Sequence, residues 1–269
     1  MSLTYSRYLE LEKLLDLQVP RSGESWEDAE HDELLFIVIH QVYELWFKQI
    51  LHEVDFLAQH FDAHGDEDPR TPRIRSTLKR MLTILKTLVA QVDILETMTP
   101  VSFNSFRARL EEASGFQSPQ FRELEFVLGH RRRSMLKYHR ENPEALARLE
   151  ARLSEPTLYQ RFLRYLAAHG YRVPERALEL DPARPVVEVA EVRPELVRIY
   201  HDDDRLAQVC ELLVDFDEGL QEWRYRHVKM VERTIGTKPG TGGSPGAEYL
   251  RTTLFHPIFP DLWAIRSQL

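Results

Sequence analysis

His31-Asp32-Glu33-Leu34-Leu35-Phe36-Ile37-Val38-Ile39-His40-Gln41-Val42-Tyr43-Glu44-Leu45-Trp46-Phe47-Lys48 is the stretch that decides the fold. No Gly or Pro interrupts residues 26–61. Apolar or aromatic side chains recur at 36, 43, 47, 50, 54, 57 and 61, a spacing of three and four that stacks them on one face of a long helix. His40 sits on the same stripe, one turn after Phe36 and one turn before Tyr43. A histidine there is either a core residue with a satisfied hydrogen bond or a group aimed into a cavity.

A second histidine sharpens the question. Leu206, Val209, Leu213, Phe216, Leu220, Trp223, His227 and Met230 follow the same spacing near the C-terminal end, so His227 lies on the apolar stripe of another long helix, expected over residues 203–235 with Gly236 as its cap. Two helices that each place one imidazole in an aromatic-rich seam can build a site for a flat cofactor or a metal. Spacing alone leaves that reading level with the bland one.

The other elements are helical too. Residues 3–17 read as a short amphipathic helix carrying Tyr5, Tyr8, Leu9, Leu11, Leu14 and Leu15. Residues 64–72 read as a polar loop and 73–98 as a third long helix. Thr99-Pro100 and Ser118-Pro119 each pair a capping side chain with a proline suited to a first helical turn. They open a short helix with Phe103, Phe106 and Arg107, and another with Phe121, Leu124, Phe126 and Leu128. Helices are expected at 143–154, 156–169 and 248–254. The proline-punctuated, acidic stretch 174–194 reads as a surface excursion, and Arg131-Arg132-Arg133 as a solvated turn. Sustained strand alternation is absent, so the expected fold is all-α: a single domain over residues 1–269, a bundle of long helices.

Composition narrows the class. The chain has 269 residues, 43% hydrophobic and 29% charged, with a formal net charge of −8. It is long enough to bury a core without staples, and it has no concentrated basic face for nucleic acid or anionic membrane. One cysteine, Cys210, makes no internal disulfide, and the N-terminal residues lack the apolar run of a signal peptide. No apolar run approaches the ~18–20 residues of a membrane span. The expectation is a cytoplasmic protein with neither nucleic-acid nor membrane partners.

Chemistry-bearing constellations are few. None of the eleven histidines has a Glu three residues before it, which excludes the paired Glu-x-x-His of a di-iron bundle, and no His-Glu-x-x-His zinc motif occurs. A haem needs only one axial ligand from one helix, which His227 can supply, with the Phe36/His40/Tyr43 face as the opposite wall. Arg107, on a helix otherwise rich in Phe, suits bidentate capture of a carboxylate, or else snorkels over that aromatic surface. Gly240-Thr241-Gly242-Gly243-Ser244 has its Lys before the glycines and a helix, not a strand, ahead of it, so it is a poor phosphate loop. It reads as a plain linker or as a lid whose Thr241 closes on a small polar ligand.

Four blocks, taken in order and spacing, resemble those of the tryptophan 2,3-dioxygenase family: Phe36 to Lys48, Ser114-Gly115-Phe116-Gln117-Ser118, Trp223-Arg224-Tyr225-Arg226-His227 and Gly240 to Ser244. Leu3-Thr4-Tyr5-Ser6-Arg7-Tyr8-Leu9 is similar to the family as well, and residues 174–194 match least. The resemblance implies a haem b enzyme, ferrous when active, that opens the indole ring of L-tryptophan with O2 to give N-formyl-L-kynurenine. It implies His227 as the axial iron ligand, Ser114 and Gly115 lining the haem pocket, and His40 as the distal catalytic histidine that bonds the indole N–H. Phe36 would form an aromatic wall, Arg107 would pair with the substrate carboxylate, and Thr241 would contact its ammonium and carboxylate ends. Phe103 stands where some members have a tyrosine that helps hold the carboxylate. Tyr5, Tyr8 and Leu9 match residues that reach into a neighbouring subunit's site, which implies a homotetramer built as a dimer of dimers, with residues 1–20 exchanged between subunits. A related haem monooxygenase or peroxygenase acting on a modified indole or another aromatic amino acid, and a haem sensor without turnover, are the alternatives.

Overall fold

In the computed structural model, which describes residues 2–62, 71–178, 184–241 and 246–269, the chain folds as helices joined by turns, with no strand among the described residues. In chain order the α-helices are α1 (Tyr5–Tyr8), α2 (Leu11–Leu14), α3 (His31–Asp62), α4 (Thr71–Leu95), α5 (Pro100–Arg107), α6 (Pro119–Val127), α7 (Pro143–Ser154), α8 (Leu158–Ala168), α9 (Glu175–Leu178), α10 (Arg193–Asp202), α11 (Asp204–Ile235), α12 (Ala247–Arg251) and α13 (Pro260–Ala264).

The long helices α3, α4 and α11 form the frame. Their apolar stripes meet in one core: Ile50, Val54, Leu57 and Phe61 of α3, Leu78, Met81, Leu85 and Leu88 of α4, and Val209, Leu213, Phe216 and Leu220 of α11. Burying each such side chain contributes roughly 1.5–3 kcal/mol, which fixes the helices against one another. Gly219 sits where α11 crosses α4; a Cβ there would touch Leu82 and Leu85 at 3.4 Å, so its absence sets the close approach. Tyr43 of α3 donates to the Leu88 carbonyl of α4 at 2.7 Å, and Arg80 of α4 forks onto the buried Glu53 carboxylate of α3 at 2.8 and 2.9 Å.

The helix ends follow their capping signals. Asp203 accepts from the backbone N–H groups of Arg205 and Leu206, Thr99 from Ser102 N–H, and Ser118 from Phe121 N–H. Gly236, with φ +61, closes α11. One window of α3 has the length and mean hydropathy, 1.3, of a bilayer span, with 22% of it buried. The helix nevertheless packs against α4, α6 and α8 within the bundle.

Several expectations need correction. Residues 3–17 are not one helix: Glu10, with φ 50 and ψ 40, breaks them into α1 and α2, neither of which buries a residue. Short helices without a packing surface lack the contacts that would carry them through such a break. The arginine run is not a solvated turn. Arg131 is buried and donates to the Leu153 carbonyl at 2.7 Å and to the Glu155 carbonyl, occupying acceptors left open at the end of α7, while Arg132 pairs with the buried Glu125. Only Arg133 is exposed.

The stretch 174–194 is not wholly at the surface either. Residues 179–183 lie outside the described residues, but Ala177, Val189 and Val192 are buried. Val186 N–H bonds the Gly129 carbonyl at 3.1 Å and Val189 N–H bonds Asp261 at 2.7 Å, so this backbone has partners inside. The expected loop at 64–72 falls mostly on residues 63–70, outside the described residues, and Thr71 and Pro72 already belong to α4. The helix expected at 248–254 ends at Arg251.

Candidate active site

α3, α5 and α11 together line a cavity of about 640 Å3, within the range of small-molecule and cofactor sites. Phe36, His40, Phe103, Arg107, Ser114, Gly115, His227 and Thr241 all line it. The structure thus gathers onto one cavity the site residues read from five separate segments. Tyr5, Tyr8 and Leu9 do not line it; they are exposed on α1 and just beyond. Gly242, Gly243 and Ser244 lie outside the described residues.

Each side chain is aimed by its element. On α3, His40 Nδ1 lies 2.6 Å from the Phe36 carbonyl, and since a carbonyl only accepts, Nδ1 carries the proton. Nε2 is thereby left as an acceptor at the cavity wall. Phe36 packs over the His40 ring at 4.1 Å and against Phe103 and Phe106 at 5.6 Å each, forming an aromatic corner. His40 is exposed where it borders the cavity. The protein around it pushes its pKa below the ordinary histidine value, opposed by the Phe36 carbonyl and Glu44.

His227 faces the same space from α11. Burial, with smaller contributions from His40 and Arg224, lowers its pKa to about 4, so at neutral pH it presents an uncharged imidazole, the form that ligates metal. Among the described residues no group of three or more His, Cys, Asp or Glu is placed to hold a metal ion, so a metal here would have to come with its own further ligands, as in a prosthetic group. At the cavity edge, Arg107 donates to the carbonyl of Pro239, at the start of the glycine-rich segment.

The inner end of the cavity was not legible in the sequence. Glu125 of α6 is fully buried and pairs with Arg122, with Arg132 at 2.6 Å and with Arg224 of α11 at 2.8 Å. Burial pushes the Glu125 carboxyl up, but the three guanidiniums outweigh it and hold the pKa at about 2. Nearby His130, half-buried, is lowered to about 3 by desolvation and the Arg224 charge and stays neutral. Three fixed cations therefore face one anion in a buried wall. Arg122 Nε there is buried with no acceptor, and Trp223 Nε1, also buried, has only the Tyr43 hydroxyl beside it. A signal did exist: α6 buries Arg122 and Glu125 alongside Leu124, Phe126 and Val127, so its charged residues must find partners inside.

An all-α bundle with one neutral histidine on each of two helices lining one cavity, a cationic wall and an arginine at the rim has the shape and the donors to accept a flat prosthetic group beside a small carboxylate-bearing ligand. The family model described as Tryptophan 2,3-dioxygenase matches residues 1–174 and 189–269, and the chain belongs to that family. It is 54% identical over 268 residues to the tryptophan 2,3-dioxygenase of Herpetosiphon aurantiacus, covering 100% of this chain and 99% of that one. It is 55% identical over 271 residues to that of Anaeromyxobacter sp. strain K, with 100% and 97% covered. The Pseudomonas fluorescens protein of the same name is 40% identical over 271 residues, with 100% and 92% covered. The part left out of the family match, 175–188, falls within the stretch whose sequence resembles the family least.

Proposed function

We propose that this chain is a haem-dependent dioxygenase that adds both atoms of O2 across the indole C2–C3 bond of L-tryptophan, opening the ring to N-formyl-L-kynurenine. The observation that carries the reading is the pairing of His40 and His227 across one cavity, each held uncharged and each on its own rigid helix.

The residues present fit a haem. Three guanidiniums against one carboxylate leave two positive charges uncompensated in the inner wall, and haem carries two carboxylates. The unpaired Arg122 N–H is a donor of the kind those carboxylates need. His227 would ligate the iron, Arg122, Arg132 and Arg224 would take the carboxylate edge, and Ser114 and Gly115 would line the pocket. When bound, the haem supplies activation of O2, chemistry that no side chain here provides.

The chain's own residues then do the positioning. His40 Nε2 accepts the indole N–H; because the Phe36 carbonyl fixes the tautomer, no reorganisation is needed when substrate arrives. Orienting the ring is sufficient for this addition, and no base role is assigned to His40. Phe36 and Phe103 form the apolar wall that keeps water from the indole. Arg107 leaves or shares its bond to Pro239 to take the substrate carboxylate, and the Thr241 hydroxyl meets the ammonium and carboxylate ends. Because Phe103 has no hydroxyl, Arg107 and Thr241 carry that recognition. The whole chain acts as one domain, in the cytoplasm, as a homotetramer in which Tyr5, Tyr8 and Leu9 complete a neighbour's site.

The test is the product's mass. With the haem-loaded, reduced protein, L-tryptophan and isotopically labelled O2, the expected product is ring-opened and carries two labelled atoms. One labelled atom on an intact ring would move the assignment to a monooxygenase. A tryptophan-insensitive haem spectrum without product would leave a sensor.

A further inference from the structure

Histidines that bind metal ordinarily have their second ring nitrogen held by a carboxylate, a carbonyl or water, which fixes the plane of the imidazole. Among the described residues, none hydrogen-bonds either ring nitrogen of His227. Rotation about the Cβ–Cγ bond of histidine is soft, so some other contact must set that plane.

Trp223 is one turn earlier on α11, and its indole lies nearly parallel to the His227 ring, with planes 13° apart and centroids 5.6 Å apart. The indole itself is boxed in. Phe121 of α6 lies at 5.4 Å, Phe47 of α3 stands edge-on at 5.8 Å, and Tyr43 of α3 lies at 6.2 Å. Tyr43 is in turn pinned by its bond to the Leu88 carbonyl of α4. Rings from three helices thus fix a plane that the His227 imidazole copies by stacking.

We propose that Trp223 is a positioning residue: its indole, clamped by Tyr43, Phe47 and Phe121, sets the orientation of the His227 imidazole by stacking, in place of the usual hydrogen bond. The inference rests on the reading of His227 as the axial iron ligand. The stack is distinct from any role of the Trp223 N–H toward the haem carboxylates, since a phenyl ring keeps the stack and loses the N–H.

The experiment compares wild type, Trp223→Phe and Trp223→Leu as ferrous holoenzymes, reading the iron–histidine stretching band by resonance Raman alongside kcat and KM. Trp223→Leu is expected to bind haem, to shift or broaden that band, and to lower kcat on the order of tenfold with KM for tryptophan little changed. Trp223→Phe is expected to restore most of the band's position and width. If the Leu variant does not fold, Trp223→Met fills a similar volume without a ring and takes its place. A Leu or Met variant whose band matches wild type overturns the inference, as does a Phe variant as altered as the Leu one. A wild-type protein with no iron–histidine band would mean that the axial assignment itself has failed, and the inference falls with it.

Discussion

On the proposed reading, substrate selection turns on Arg107. Its guanidinium sits at the cavity rim, half-buried, and its described partner is the carbonyl of Pro239, a neutral acceptor that a carboxylate outcompetes. Replacing it with alanine leaves a partly desolvated substrate carboxylate without its cation, so Arg107→Ala is expected to weaken tryptophan binding by about 2–4 kcal/mol. The carboxylate is bound alike in ground and transition states, so KM and Kd should rise while kcat changes far less. A tryptophan titration of the haem spectrum measures this, and a normal Kd would remove Arg107 from the site. His227 makes a different prediction: His227→Ala should purify with little haem from haem-supplied cells, and added imidazole should restore part of the spectrum. Normal haem content in that variant would refute the axial role.

At the scale of elements, one buried carboxylate fastens the C-terminal segment to α11. Asp217 is fully buried in α11; one oxygen accepts from Ile258 N–H at 2.8 Å, Phe259 N–H at 3.0 Å and Trp263 Nε1 at 3.0 Å, and the other from Gln221 at 2.9 Å. Asp217→Ala strands three donors inside the protein, so a loss of about 3 kcal/mol or more is expected in urea unfolding, with faster amide exchange at α13 than elsewhere. Uniform exchange would show that the clamp does not hold α13. Nothing in the sequence pointed to Asp217, whereas α3, α4 and α11 were readable, and the reason is physical. Helical periodicity repeats over many turns and survives local exceptions, so the stripes of 36–61 and 206–230 show themselves. A buried carboxylate has no period, and three of its four partners lie 41 to 46 residues away in the chain. The same holds for Glu125, whose Arg224 is 99 residues distant. His40, His227 and Arg107 could be singled out because each interrupts an apolar or aromatic pattern, while Arg131, in a run of like residues, was misread as solvated.

For the whole molecule, two properties follow from what is buried and what is not. His227 and His130 protonate near 6.5 in an unfolded chain but only at about 4 and about 3 in the folded one. As pH falls the unfolded chain takes up these protons first, so the stability they contribute is complete above about 6.5 and drains away toward pH 4 and below. The urea midpoint of the haem-free protein should fall across that window, and fall less in His130→Gln. The N-terminal segment has the opposite character. Leu3, Tyr5, Tyr8 and Leu15 are each more than 70% exposed, and α1 and α2 bury nothing, although Thr4 caps α1 and a Glu10–Lys13 ion pair supports the turn of α2. Beyond them the segment is tied down: Gln18 bonds Gln41 at 2.6 Å and Gln41 bonds the Leu17 carbonyl at 3.1 Å, on α3 right beside His40. An apolar strip anchored next to the cavity yet uncovered in its own chain is suited to a surface on another copy. Deleting residues 2–16 keeps the anchor and removes the strip. The expected result is an assembly smaller than a tetramer by light scattering, with KM for tryptophan raised on the order of tenfold as Tyr5, Tyr8 and Leu9 leave the neighbour's site. A truncated protein that remains tetrameric with an unchanged KM would show that the segment neither holds the assembly together nor reaches across it.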